Sequence, residues 1–272
     1  MNLNQSKGNM YEFITHTWNP IKGQCFHDCS YCYMKSIVSN PQPIHLDESE
    51  LKGIFQRDQF IFIGSSTDDY APNVPSEWIT KVLDFCVDAT SHQTEGQKTR
   101  FLIQTKNPER LLEFIEHPLF QSQRVVVCTT IETNRHYSEI MNNAPTPENR
   151  AEAMAKIAEC GIRTFVTIEP IMDFDLDEMV RLIKMCKPEQ VNIGKNTSTQ
   201  IQLAEPTRFA VANLIFHLIC STKIKIKKNI DCEKLTKAII TIFEHNYSCE
   251  KDKSKNGNLS NTFFDIYLRE QK

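Results

Sequence analysis

The sequence predicts an α/β fold, a partial (βα)6 TIM-like barrel of parallel strands with a C-terminal α/β appendage. Two observations carry this expectation. Between residues 13 and 220, apolar strand-like runs alternate with amphipathic helical runs, and repeating βα units give parallel strands joined by right-handed crossovers. Several strand-like runs are also apolar on both faces, as strands covered by helices are. In such barrels the chemistry sits in the loops after the strand C-terminal ends.

The elements follow in order. FITHTW (13–18) reads as a weakly alternating strand that leads into a cysteine-rich loop. FIFIG (60–64) is a β-branched and aromatic strand ending in Gly, and residues 74–89 carry Trp78, Val82, Leu83 and Phe85 near helical spacing. RFLIQT (100–105) precedes the helical run 108–117, and RVVVCTTI (124–131) precedes the helix 149–161, closed by Gly161. RTFVTIEP (163–170) pairs with the helix 175–186, and QVNIG (190–194) with the helix 205–220. That makes about six βα units. The expected division is a barrel over 1–221 and an extension over 222–272. The extension reads as a lysine-bearing edge strand (223–230), an amphipathic helix (232–246), a polar stretch (250–261) and a final apolar strand (263–268).

Composition narrows the function classes. The chain has 272 residues, 40% of them hydrophobic, enough for a sizeable core. A formal net charge of -3 gives no overall attraction to nucleic acid or anionic membrane. The N-terminus lacks the apolar run of a signal peptide, and no stretch approaches the ~18 apolar residues of a membrane span. A soluble cytoplasmic protein with no membrane partner is therefore expected. In a reducing compartment the ten cysteines do not read as a disulfide framework. Cys128 falls inside a strand and reads as core. Cys220, Cys232 and Cys249 fit no compact ligand motif.

Three cysteines are clustered. GQCFHDCSYCY places Cys25, Cys29 and Cys32 as C-x3-C-x2-C, directly after the first strand. Thiolates hold iron–sulfur clusters, usually four to a cubane, so three leave one iron open to a small chelating molecule. The alternative is zinc, with His27 as a candidate fourth ligand.

With these residues in view, the chain resembles the radical S-adenosylmethionine (SAM) superfamily. It looks most like a phage- and bacterium-associated radical-SAM-like family of unknown function, itself similar to spore photoproduct lyase. The resemblance runs through THTWNPIKGQC, CSYCY, FIGSSTDDYAPNVPSEWI, FLIQTKNPERL, VVVCTTIET, RTFVTIEPIMD and VNIGKN. The cysteine spacing is the ordinary radical SAM one, although many members of that family space the first two cysteines more widely. Spore photoproduct lyase also uses a cysteine at the end of its second strand as hydrogen donor. Here that place reads Ile63-Gly64-Ser65-Ser66, which puts thymine-dimer repair by that route in doubt.

The resemblance implies a 4Fe-4S cluster on Cys25, Cys29 and Cys32, with SAM on the open iron. It implies reductive cleavage of SAM to a 5′-deoxyadenosyl radical that takes hydrogen from a substrate. An electron donor of flavodoxin or ferredoxin type is then a partner. The substrate is unknown, with nucleic acid slightly favoured by the kinship. Tyr31 is expected beside the adenine. Ser65, Ser66 and Asp68 are placed to meet the SAM ammonium, and Lys106 its carboxylate. Thr130 and Glu132 end the fourth strand, where a carboxylate suits ribose hydroxyls. Glu169 ends an apolar strand and needs a partner or a substrate role, because burying it unpaired is costly. Lys195 is a further candidate contact. Lys223, Lys225, Lys227 and Lys228 read as a solvated edge that discourages strand pairing, or as a nucleic-acid backbone contact. The rival reading is a non-catalytic zinc or iron–sulfur module that acts through partner binding.

Overall fold

The computed structural model describes residues 1–94, 98–198 and 200–250. The polar stretch and final strand expected over 251–272 lie outside these residues. Ten strands are described: β1 (Asn4–Gln5), β2 (His16–Trp18), β3 (Ile21–Lys22), β4 (His45–Leu46), β5 (Phe60–Ile63), β6 (Arg100–Gln104), β7 (Val125–Thr130), β8 (Arg163–Ile168), β9 (Gln190–Ile193) and β10 (Lys223–Ile226). The α-helices are α1 (Met34–Ile37), α2 (Ser76–Asp88), α3 (Pro108–Leu111), α4 (Pro118–Gln121), α5 (Ser138–Met141), α6 (Pro147–Glu159), α7 (Leu176–Met185), α8 (Arg208–Leu218) and α9 (Cys232–Glu250).

Eight strands form one sheet in the order β1-β2-β5-β6-β7-β8-β9-β10, and β3 pairs with β4 apart from it. All pairs from β2 to β10 are parallel, while β1 joins β2 antiparallel. The sheet is an open barrel of the expected βα type. The lysine strand β10 is its seventh parallel strand, in register with β9 from Lys223 opposite Gln190 to Ile226 opposite Ile193. Helix α9 packs on α8, so the tail continues the α/β layering.

Alternation along each strand builds two cores. Ile61, Ile63, Phe101, Ile103, Val125, Val127, Val166, Ile168, Val191 and Ile193 belong to the main core with the helices. Phe60, Phe62, Leu102, Val126, Cys128 and Phe165 form a second core, filled by Tyr11 and Ile14 from the N-terminal segment. Cys128 is packed there, as expected. Both faces are apolar, and the parallel ladder follows from that.

The helices read from local rules. In α2 the buried residues Ile79, Val82, Leu83 and Cys86 recur at i, i+3, i+4 and i+7. Helix α6 starts with Thr146 accepting from Asn149 N and Pro147 in the first turn, a favourable start for both. Thr207 caps α8 in the same way through Ala210 N. Each such cap contributes about 1 kcal/mol. The helical run expected over 108–117 is shorter, an α-turn over Pro108–Leu111 continued as 3-10 helix over Leu112–Phe114.

Among the described residues, no helix is long and apolar enough to cross a membrane.

Candidate functional site

The C-terminal strand ends open into a cavity of about 930 Å³. Cys25, Cys29 and Cys32 line it from one side. Ser65, Ser66 and Asp68 after β5, Lys106 after β6, Thr130 of β7, Glu169 after β8 and Lys195 after β9 line it from others. Tyr31 lines it too. Of the candidate residues, only Glu132 stands behind the wall.

The cysteines differ in exposure: Cys29 is buried, whereas Cys25 and Cys32 are partly open. Burial and then the Asp68 charge push the Cys25 thiol up to about 12, opposed by the nearby backbone amides of Asp68 and His27. Burial also raises Cys29, against the pull of Lys106. Among the described residues, no three His, Cys, Asp or Glu side chains stand together as a single-ion site. A mononuclear zinc needs its donors about 2.0–2.3 Å from one point. A cubane instead places each thiolate on a separate iron.

Asp68 is more tightly held than a free ammonium acceptor. Its Oδ2 accepts from His27 Nε2 at 2.9 Å, Thr105 Oγ1 at 3.1 Å and Lys106 N at 2.8 Å, and its Oδ1 from Tyr70 N at 3.0 Å. Burial acts to raise its pKa, but His27 and these hydrogen bonds outweigh it and the net shift is downward. The Ser65-Ser66 turn hangs on Asn19, whose Oδ1 accepts from Ser65 Oγ at 3.1 Å, Ser66 N at 2.9 Å and Ser66 Oγ at 3.0 Å. Tyr33, next to the third cysteine, donates to Ser65 O at 2.5 Å. Gly64 turns the chain at φ +72°, and a Cβ there would meet the Asp69 carboxyl at 2.7–3.0 Å.

Glu132 is the centre of a closed network. Its Oε1 accepts from Tyr31 OH and from Lys106 Nζ at 2.7 Å, and its Oε2 from Arg150 Nη1 at 2.7 Å. Burial acts against its charge, yet Arg150 and Lys106 hold its pKa down at about 2. Lys106 Nζ also lies 5.1 Å from the Tyr31 ring centroid, a cation–π contact. The expectation of a carboxylate open to a ribose thus meets a carboxylate whose oxygens are both engaged. Glu132 holds Tyr31 and Lys106 at the cavity wall.

Glu169 has the partner its burial demands. Lys227 Nζ lies 2.9 Å from Oε2, and Asn9 Nδ2 donates to Oε1 at 2.8 Å. Burial raises its pKa and Lys227 opposes that. Lys227 also stands 4.5 Å from the Tyr11 ring centroid, with its side chain 10% exposed. So one member of the basic strand turns inward, contrary to a wholly solvated edge. Lys195 pairs with Glu205 at 2.9 Å near the surface.

Sequence reasoning missed Arg150, Asn19 as the turn holder, and Asn9 and Tyr11. Arg150 left a signal: it sits in register with Met154 and Ile157 on the buried stripe of α6, where an arginine needs an anion. Asn9 and Tyr11 come from an irregular segment and left none.

No family model matches the sequence, and no curated protein sequence does so either. The fold does have solved relatives. A cysteine-to-serine mutant of spore photoproduct lyase superposes with a TM-score of 0.56 at 12% identity, covering 90% of this chain and 76% of that one. Spore photoproduct lyase complexed with dinucleoside spore photoproduct gives 0.54 at 12% identity, over 88% and 76%. A tyrosine-to-phenylalanine mutant gives 0.52 at 11% identity over the same shares. The fold expected from the sequence resemblance is the fold found.

Proposed function

We propose that the chain is a radical SAM enzyme that holds a 4Fe-4S cluster on Cys25, Cys29 and Cys32. One observation carries this reading: the three cysteines and the strand-end polar residues line a single cavity. The donor set fits the group, with three thiols free of disulfides on one short loop. The likeness in fold to spore photoproduct lyase supports it. When bound, the reduced cluster would supply one electron to the sulfonium carbon–sulfur bond of SAM, which would break to methionine and a 5′-deoxyadenosyl radical.

The residues divide the remaining work. Lys106, fixed by Glu132, presents an ammonium for the SAM carboxylate. Ser65 and Ser66, fixed by Asn19, offer hydroxyl and carbonyl oxygens to the SAM ammonium. Asp68 adds negative charge there, while its own hydrogen bonds keep the turn in place. Tyr31 gives the adenine a flat neighbour, and Thr130 lines the ribose side with Glu132 behind it. Glu169 and Lys195, at the ends of β8 and β9 on the same cavity, are assigned to substrate in this reading. Phe62 and Met10 give the cavity wall an apolar stretch that would exclude water from a bound substrate.

The substrate is a nucleic acid in this reading, favoured by the dinucleoside complex of the structural relative. Repair by the relative's own cysteine route is not proposed, because Ser65 and Ser66 stand after β5. An electron donor of flavodoxin or ferredoxin type in the cytoplasm would supply the electron.

Anaerobic reconstitution with iron and sulfide tests the cluster. About four irons per chain are expected, with the absorption of thiolate-bound iron. A colourless protein that takes up zinc in their place would contradict the proposal and support a structural metal module.

A further inference from the structure

Glu169 follows β8, and the residue after β9 brackets it. Gly194 N donates to Ile168 O at 3.0 Å, and Gly194 O accepts from Ile171 N at 2.8 Å. A Cβ on Gly194 would meet Glu169 Cδ and Oε1 at 2.8 Å. Gly194 has no positive φ, so this close approach alone demands a glycine there. The Glu169 side chain is thus seated directly against the β9 backbone.

The seat keeps hydrogen-bonding capacity for a ligand. Asn9 Nδ2 donates to Oε1 at 2.8 Å, and Lys227 Nζ lies 2.9 Å from Oε2. A carboxylate offers more than two acceptor sites, and an ammonium more than two donors. Each carboxylate oxygen therefore retains a lone pair. Lys227 retains a donor beyond the one on Glu169 and the face it turns to the Tyr11 ring, 4.5 Å away. Both side chains line the cavity. Along one edge the seat presents an acceptor at Oε1, an acceptor at Oε2 and a donor at Nζ. Phe62 adds apolar wall to the same cavity, its ring centroid 6.5 Å from that of Tyr11. A flat heterocycle has faces that suit such a wall.

The pairing edge of guanine is the complement of this order. Its amino N–H and ring N–H are adjacent donors, and its carbonyl oxygen is the acceptor beside them. Adenine, cytosine and thymine each place a ring or carbonyl acceptor where the carboxylate needs a donor, and buried polar groups left unpaired penalise the wrong ligand. We propose that Glu169 and Lys227 are specificity residues that select a guanine base in the cavity, with Gly194 and Asn9 as positioning residues for the carboxylate. This deepens the functional reading above and rests on its nucleic-acid substrate.

The test is calorimetric titration of the anaerobically reconstituted protein, with iron content measured on the same sample. The probes are dGMP, dAMP, dCMP and dTMP, and a short oligothymidylate with and without one central guanine. Guanine is expected to bind at least about tenfold more tightly than the other bases. Preference among the monophosphates identifies a free nucleotide as the ligand, and preference in the oligonucleotide alone identifies a base within a strand. Glu169→Gln sets a donor against the base N–H groups, and should lose the preference while keeping the cluster. Gly194→Ala unseats an unchanged carboxylate and should lose it too. Equal affinity for all bases, no binding of either guanine probe, or a preference that survives in Glu169→Gln overturns the inference and leaves the cluster assignment standing. A wild-type protein that forms no cluster overturns the functional reading itself.

Discussion

Arg150 Nη1 lies 2.7 Å from Glu132 Oε2, and both side chains are fully buried. This ion pair ties helix α6 to the residues after β7, and through Glu132 it steadies Tyr31 and Lys106 on the cavity wall. Removing one partner of such a pair leaves an uncompensated charge, at a cost of roughly 3–5 kcal/mol. Arg150→Met is therefore expected to lower the melting temperature by several degrees or more, read by circular dichroism. It is also expected to weaken SAM binding, because Lys106, already 2.7 Å from Glu132, would be drawn more strongly to the uncompensated carboxylate.

The same pair sets an acid limit. The folded pKa of Glu132, about 2, lies below the unfolded value near ~4.3. A depressed carboxylate stabilises the fold above its unfolded pKa and loses that contribution as pH falls through the folded pKa. Wild-type stability should therefore fall between about pH 4.5 and pH 2, and Glu132→Gln should show a flatter profile there. Denaturant titrations across that window check the difference.

Glu169 titrates with the opposite sign. Burial raises its folded pKa, with Lys227 opposing. Without Lys227 the pKa rises further, so the buried acid favours folding at low pH and that advantage is lost as pH rises through its titration. Lys227→Met should be close to wild type in acid and progressively less stable toward neutral pH. Adding Glu169→Gln should shrink the gap, which urea denaturation at several pH values measures.

Gly64 and Gly161 make a matched pair. Both have positive φ, +72° and +77°, but a Cβ meets the Asp69 carboxyl at Gly64 and nothing within 4 Å at Gly161. Left-handed backbone alone costs about 1–2 kcal/mol with a side chain. Gly161→Ala should cost about that much. Gly64→Ala should cost more, and it should also disturb cluster loading through the turn it begins. Equal losses at the two sites would count against the close approach of Asp69.

Lys106→Met tests the carboxylate contact. A hydrogen bond to a charged group is worth ~1.5–3 kcal/mol, so SAM should bind roughly tenfold to a hundredfold more weakly. Cluster content should be retained. Equilibrium binding to reconstituted protein gives both numbers.

Much of this was legible in the sequence because it is periodic or local. Alternating strands and i, i+3, i+4 helices write their burial into residue order, and Cys25, Cys29 and Cys32 declare themselves by spacing. The candidate residues at strand ends reached the cavity because parallel topology gathers those ends on one rim. What sequence order hid were long-range partners. Glu132 looked open because Arg150, eighteen positions on, carries no local mark of pairing with it. Lys227 read as a surface lysine because strands alternate, and only the pairing of β10 on β9 shows where its side chain goes. Asn9 meets Glu169 across 160 positions, beyond any pattern.

The most direct test of the central claim is the assay for 5′-deoxyadenosine after anaerobic reconstitution, with dithionite and SAM. The account predicts its formation by the wild-type chain and its loss in Cys25→Ala. A wild-type protein with a full 4Fe-4S cluster that leaves SAM intact, with and without nucleic acid, would contradict it.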